Sequence, residues 1–377
     1  MDTSSDQPLK IGMVGLGRIA AVHQEGYQMF GLLVAAGYDP QPAARERFAV
    51  AQPGARVYDT LAGLLGDPEV MVVDLATPHH RTARIPVLEQ VATAGKPVFI
   101  QKPLAMTYED AAESAGLLEQ AGVPGMVNQN LCFAPGGLAL PVLLLERKVV
   151  GEPFVAHVEL RLRFDCPPDN WFGKDERWWT IGHTVHHLSV LHMVFGPPER
   201  VYAVAGLDPK QPGVSYDGYG HLVLSYPSGL HVTVISTGTY YGAHPKPYNT
   251  EEIWVQGPAG IIDWQPEGGI TITLREDWDQ REFVATPGHW FPDAFGLAMA
   301  HFQQALRAGA ESLCSVRDNL YVMAVIEAAY RSSQRKQAVT LAEIMGDRYD
   351  AGYGPGWWHG YHKWTRPGAS GRSNPDA

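Results

Sequence analysis

Residues 12–20 read Gly12-Met13-Val14-Gly15-Leu16-Gly17-Arg18-Ile19-Ala20. An apolar segment, 9–14, runs into this stretch, and an amphipathic one carrying Ile19, Val22, Gly26 and Met29 leads out of it. Each small residue of the G-x-G-x-x-A turn has its own task. Gly15 permits the tight turn, Gly17 lets backbone approach a pyrophosphate, and Ala20 lets helix pack close against strand. The helix aims its first N–H groups, around Arg18 and Ile19, at the phosphates. A second apolar segment, 32–37, leads to Asp39, 22 positions after Gly17. A carboxylate there accepts hydrogen bonds from the adenosine ribose and repels a 2′-phosphate, so NAD(H) is expected rather than NADP(H). The competing reading is a strand–turn–helix with no ligand.

A chain of 377 residues exceeds one ordinary core, so two domains are expected. Charged residues are 18% and the hydrophobic set 45%, the balance of a globular chain. A formal charge of -11 without a Lys/Arg cluster argues against a nucleic-acid partner. Cys132, Cys166 and Cys314 lie far apart with no C-x-x-C, so neither a disulfide framework nor a thiolate zinc site is indicated. The opening Met1-Asp2-Thr3-Ser4-Ser5-Asp6 lacks the basic and apolar regions of a signal peptide, and no apolar run approaches bilayer length. The expectation is a cytoplasmic protein with no membrane partner.

Beyond Asp39, strands and helices alternate. Pro42 suits a first helical position before a helix over 43–50, and a strand at 57–58 and a helix over 60–65 follow. The apolar run 70–75 has the pattern of a strand buried on both faces. A helix over 82–94 closes on Gly95, and 98–100 is another strand. The helix over 107–121 starts on the capping pair Thr107 and Asp110 and stops at Gly122, after which 125–127 leads out of the domain. Repeated βα units predict an α/β domain, 1–128, with a doubly wound parallel sheet. Ligands of such sheets lie beyond the carboxyl ends of the strands. That gathers three loops: 15–20, Thr77-Pro78-His79-His80 and Gln101-Lys102-Pro103. Thr77, Pro78, Gln101 and Lys102 thereby join Gly15, Gly17, Arg18, Ile19 and Asp39 as cofactor-binding candidates. Lys102, set between a buried strand and a proline, is an ammonium aimed near the nicotinamide. The competing reading is an exposed lysine beside a turn.

Together these residues resemble the glucose–fructose oxidoreductase / inositol dehydrogenase (Gfo/Idh/MocA) family over nearly the whole chain. The resemblance rests on the fingerprint at 15–20, Asp39 after the second strand, Thr77-Pro78 after the fourth and Gly95-Lys96-Pro97 before the fifth. Where the family carries Glu-Lys-Pro, this chain has Gln101-Lys102-Pro103. The family's Asp-x-Gly-x-His-x-x-Asp motif has a glycine ten residues after its histidine, and Gly196 follows His186 by ten. Its leading Asp falls on Gly182, its Gly on Thr184 and its trailing Asp on Ser189. The resemblance implies a Rossmann domain followed by an α+β domain. It also implies a lysine, an aspartate and a histidine that together handle the proton of an oxidised hydroxyl. Lys102 and His186 keep two of these places. His183, one position beyond the missing aspartate, is the candidate substitute.

The second half alternates as strands do at 154–164, 200–205, 221–226, 230–236, 253–256 and 270–274, with few helices between. This predicts a mostly antiparallel sheet in a domain 129–346, one face covering the cofactor, with helices over 293–308 and 316–335 after it. The resemblance implies subunit contacts on the other face, hence a homodimer or homotetramer. A tail, 347–377, rich in Gly, Tyr, Trp and His, turns polar toward its end. Trp171, Phe172, Trp178 and Trp179 precede Gly182-His183-Thr184-Val185-His186-His187. On a helix over 181–195, His183, His186, His187 and Val190 share one face. Aromatic faces beside imidazoles suit a sugar or polyol, which makes Trp171, Trp178, Trp179 and His187 substrate-binding candidates. The competing reading places the tryptophans in the core. His183 and His187 have metal-helix spacing, but no Glu follows His183, so no metal is expected.

The catalytic candidates are Lys102, His186 and His183: His186 as base on the strength of an imidazole pKa near working pH, with Lys102 hydrogen-bonding the same oxygen and stabilising alkoxide character, or serving as base if its pKa is depressed. The leading expectation is an NAD-dependent oxidoreductase acting on a secondary hydroxyl of a sugar, cyclitol or glycoside. A redox-neutral lyase or glycosidase using bound NAD, and a non-catalytic NAD-binding protein, stand beside it.

Overall fold

Strand β1 (Ile11–Val14) is buried along its whole length and stops at Gly15, whose φ of 89° is a conformation open to glycine. The computed structural model describes residues 7–165, 175, 177–211, 213–240, 250–350 and 352–353. After β1 come α1 (Arg18–Met29), β2 (Val34–Tyr38), α2 (Pro42–Ala51), β3 (Arg56–Tyr58), α3 (Leu61–Leu65), β4 (Val72–Leu75), α4 (Arg81–Thr93), β5 (Val98–Gln101), α5 (Tyr108–Ala121) and β6 (Gly125–Asn128). Their strands form one parallel sheet in the order β3-β2-β1-β4-β5-β6. Chain direction across the sheet reverses between β1 and β4, the crevice where such sheets take ligands. β4 and β5 are buried throughout, as expected for strands covered on both faces. Thr107 caps α5 by accepting from the Asp110 amide, and Gly122 ends it at φ 64°.

Two expectations need correction here. Residues 125–127 do not lead out of the domain: they form β6, the last strand of the sheet, paired with β5. The buried side of α1 is not Ile19, Val22 and Met29 but Ala20, His23, Gly26 and Tyr27. Two of these are polar side chains that can be buried because their partners lie on distant strands. His23 meets Asp74 at 2.9 Å, and the Tyr27 hydroxyl donates to the same carboxylate at 2.8 Å.

The second half contains α6 (Ala139–Pro141), β7 (Val155–Arg161), a π-helical turn (Thr180–Thr184), α7 (Val185–Phe195), β8 (Arg200–Leu207), β9 (Asp217–Ser225), β10 (His231–Thr237), β11 (Thr250–Gly257), β12 (Gly260–Gln265), β13 (Gly269–Leu274), β14 (Glu282–Val284), α8 (Asp293–Ala308), α9 (Val316–Arg335), β15 (Val339–Thr340) and α10 (Leu341–Met345). Nine strands pair in the order β14-β13-β12-β11-β7-β10-β9-β8-β15. The sheet is antiparallel except where β7 and β10 run parallel. Strands β12, β14 and β15 were not foreseen. β14 is mostly exposed and β15 spans two residues, so neither carries a readable alternation. α9 packs on β8 of this sheet and on α7. α8 returns to the first sheet and crosses α1 where Gly26 meets Gly296, a site with no space for a Cβ on either helix. Residues 354–377, with most of the aromatic tail, lie outside the described residues.

Candidate active site

The glycine-rich turn is shaped by contact on one side and openness on the other. A Cβ on Gly15 would stand 2.7 Å from the Ala76 carbonyl oxygen, so the turn presses against the end of β4. Gly17 has nothing within 4 Å of where a Cβ would be, and it starts α1 without a side-chain cap or an acidic residue in the first turn. The N–H groups around Arg18 and Ile19 are therefore at an open, uncapped helix end, the environment an anionic pyrophosphate needs. Asp39 sits beside it: one carboxylate oxygen accepts from the Leu16 amide at 2.8 Å, the other from Gln41 at 2.9 Å. Arg45 is spent on the Asp39 and Pro40 carbonyl oxygens. Thr77 follows β4, and its hydroxyl is buried with no partner in the protein. An open cradle, an anchored carboxylate and an orphaned hydroxyl fit a dinucleotide.

Gln101 ends β5 and is buried; its side-chain oxygen accepts from Asn128 at 3.0 Å. Asn128 also reaches His23 Nε2 at 3.3 Å, which joins Gln101 to the buried Asp74 and Tyr27 group. Lys102 points the other way and donates from Nζ to the Gly182 carbonyl oxygen at 2.6 Å. Withdrawal from water pulls its ammonium down to about 8.

Arg84 of α4 holds this loop. Its guanidinium is buried and donates to the carbonyl oxygens of Gln101 at 3.0 Å, Pro103 at 2.5 Å, Leu104 at 3.0 Å and Thr77 at 2.7 Å. It also lies 2.8 Å from His79 Nδ1. One side chain thus fastens the loop after β4 to the loop after β5. Burial without a carboxylate partner lowers its pKa to about 9. The sequence did carry a sign of this residue: Arg84 falls in the buried stripe of α4 with Leu88 and Val91.

The histidine segment is not one regular helix. Residues Thr180–Thr184 make a π-helical turn before α7 begins, which breaks the simple i, i+3, i+4 register. Asp217 at the start of β9 anchors the turn, accepting from the amides of Trp178, Trp179 and Thr180, the Thr180 hydroxyl and the Tyr330 hydroxyl. Asp217 was missed because it lies 35 residues beyond Gly182 on another element. His183 stacks on Trp179 with centroids 4.3 Å apart, and His186 meets Trp290 edge to face at 5.9 Å. Burial and the nearby Lys102 charge hold His183 down to about 3 and His186 well below the usual imidazole value. Burial also takes His187 to about 4. The expectation of a histidine titrating near working pH is therefore wrong for His186.

One further expectation changes. Trp179 is fully buried, donates to Ser236 at 2.9 Å and belongs to the core, not to a substrate surface. Ser189, in place of the trailing aspartate, bonds its own helix at the Val185 carbonyl. Trp178 is partly buried and faces His183 edge-on at 5.9 Å. Trp171 lies outside the described residues. Among the described residues no group of three His, Cys, Asp or Glu could hold a metal ion, and no helix is long and apolar enough to cross a membrane.

Comparison with known proteins agrees with this arrangement. Residues 9–129 match the oxidoreductase family NAD-binding Rossmann fold, and residues 143–341 match the same family's C-terminal alpha/beta domain. The chain belongs to the Gfo/Idh/MocA oxidoreductase family. It is 26% identical over 303 residues to D-apiose dehydrogenase of Paraburkholderia graminis, covering 78% of each chain. Inositol 2-dehydrogenase of Acidothermus cellulolyticus is 28% identical over 357 residues, covering 91% of this chain and 97% of that one. Levoglucosan dehydrogenase, solved with NADH and levoglucosan, superposes with a TM-score of 0.78 at 19% identity, covering 89% of this chain and all (100%) of that one. The first domain is an NAD-binding Rossmann domain.

Proposed function

We propose that this protein is an NAD-dependent dehydrogenase of a secondary hydroxyl on a sugar, cyclitol or related glycoside, with Lys102 as its acid–base group. The observation that carries the proposal is the bond from Lys102 Nζ to the Gly182 carbonyl. It brings the ammonium of the first domain into the turn that bears His183 and leads to His186. Its relatives named for apiose and inositol oxidation support the substrate class.

Gly15, Gly17, Arg18 and Ile19 would hold the pyrophosphate through backbone N–H groups, Asp39 the adenosine ribose, and Thr77, Pro78 and Gln101 the inner half. Bound NAD+ supplies the hydride acceptor. Lys102, as the free amine, accepts the hydroxyl proton as the carbonyl forms and returns it in the reverse direction. His186 and His183, kept neutral by burial, orient the hydroxyls by hydrogen bonding rather than by taking the proton. Trp178 and His187 border the substrate. No metal is assigned a role.

The open face of the second sheet, with Tyr202, Val204 and Val223 each more than two-fifths exposed, supports association of copies through that face. Buried free thiols at Cys132 and Cys314 suit a reducing cytoplasm. The test is a panel of sugars and polyols assayed for NADH formation by absorbance. Stoichiometric NADH with product ketone supports the dehydrogenase; substrate conversion without net NADH would replace it by a redox-neutral lyase or glycosidase.

A further inference from the structure

The positive charges of this site have no ionised partner among the described residues. Lys102 bonds a backbone carbonyl, and Arg84 bonds four carbonyl oxygens and an imidazole. Both positions where the family resemblance places an acid near this lysine are neutral, Gln101 and Gly182. Asp74 is turned to α1 and bonded to His23 and Tyr27, and Asp217 is consumed by the turn it anchors. Asp175 faces His80 at 3.5 Å. On the far side, Glu267 accepts from the Trp290 amide. Its neighbour Glu251 is pushed up to about 8 by burial and by Glu267, so it is largely uncharged at neutral pH. NAD+ adds a positive nicotinamide ring. Meanwhile His183 Nδ1 and His186 Nδ1 are buried without a protein partner. A cleft in which Lys102 bonds only a carbonyl and two imidazole nitrogens stand unpartnered, with no carboxylate bonded to any of them among the described residues, is complementary to an anion.

We propose that the substrate of this site carries a carboxylate, an aldonic or uronic acid rather than a neutral sugar or polyol. This rests on the dehydrogenase reading above. The substrate carboxylate supplies the counter-charge that Gly182 no longer provides, and the secondary hydroxyl beside it presents its proton to Lys102. Discrimination follows from the partner left behind: a neutral analogue leaves the cations uncompensated in a partly desolvated cleft.

Matched pairs test it: D-gluconate against D-glucitol, and D-galacturonate against D-galactose, each with NAD+. The acids should show at least a 10-fold higher kcat/KM. Gly182→Asp restores a carboxylate beside Lys102, where the nearest atoms to a new Cβ are 3.5 Å away in the Trp178 ring, and should shrink that ratio at least 10-fold. Equal or better turnover of the neutral partners in the wild-type enzyme overturns the inference and leaves the dehydrogenase intact. Calorimetric titration of D-gluconate and D-glucitol, with and without NADH, reads the charge preference independently of turnover. If none of the compounds forms NADH yet gluconate binds selectively, the charge inference stands and the redox reading falls; no turnover and no selective binding sinks the inference.

Discussion

Lys102 and Gly182, 80 residues apart, are joined by a 2.6 Å hydrogen bond from the ammonium to a backbone carbonyl. The lysine directly follows β5 of the parallel sheet and the glycine lies in the π-helical turn, so the bond crosses between the two halves of the chain. It also fixes the electrostatics, because a carbonyl dipole holds the ammonium without the full charge that would keep it protonated.

A pH profile follows from that. With the free amine as the proposed base, kcat/KM for alcohol oxidation should rise with pH through about 8, while kcat/KM for carbonyl reduction falls over the same range. His79, His183 and His186 feel the Lys102 charge, and all three are depressed, so they stay neutral above pH 6 and do not contribute this limb. Initial-rate profiles in both directions check it. A limb near pH 6.5 would return the base to a histidine.

Lys102→Met should lower kcat about 100-fold or more, the scale of a lost acid–base group. His186→Ala should cost about 10-fold, since an orienting hydrogen bond rather than the proton acceptor is lost. The double variant should fall well short of the product of the two, because the groups serve one oxygen. NADH binding, read by fluorescence titration, should be nearly unchanged throughout.

Asp39→Ala should weaken NAD binding and narrow the preference over NADP. The carboxylate that repels a 2′-phosphate is gone, and the Leu16 amide of the glycine turn loses its acceptor. Dissociation constants for NADH and NADPH measure both effects. A wild-type protein preferring NADPH would remove the assignment of Asp39 to the ribose.

Arg84→Met keeps an apolar stem but strips four carbonyl oxygens of their donor. Urea unfolding should show a loss of about 3 kcal/mol, the scale for breaking a buried charged network. Surviving enzyme should have kcat reduced about 10-fold, because the loop that aims Lys102 is loosened. Full stability with normal kcat would show that the loops need no such anchor.

Local pattern and tertiary pairing decided different parts of this protein. The turn at Gly15 to Ala20, the caps at Thr107 and Gly122 and the buried strands β1, β4 and β5 follow from interactions within a few residues, so they are legible in the chain. The parallel sheet and the position of Lys102 at its carboxyl edge are legible for the same reason. Strands β12, β14 and β15 depend on neighbours for their pairing and leave weak local traces. The protonation of the candidate bases is also a tertiary result. His186 has an ordinary imidazole in sequence, but burial and Lys102 deprive it of its proton, while the same burial lowers Lys102 toward neutrality. Sequence determined which groups are present and which strand or turn carries them. Only the folded structure decided their charge, because desolvation and Coulomb interaction depend on what surrounds a group in space, and that neighbourhood is assembled from Arg84, Lys102, Gly182 and Asp217 on four separate elements.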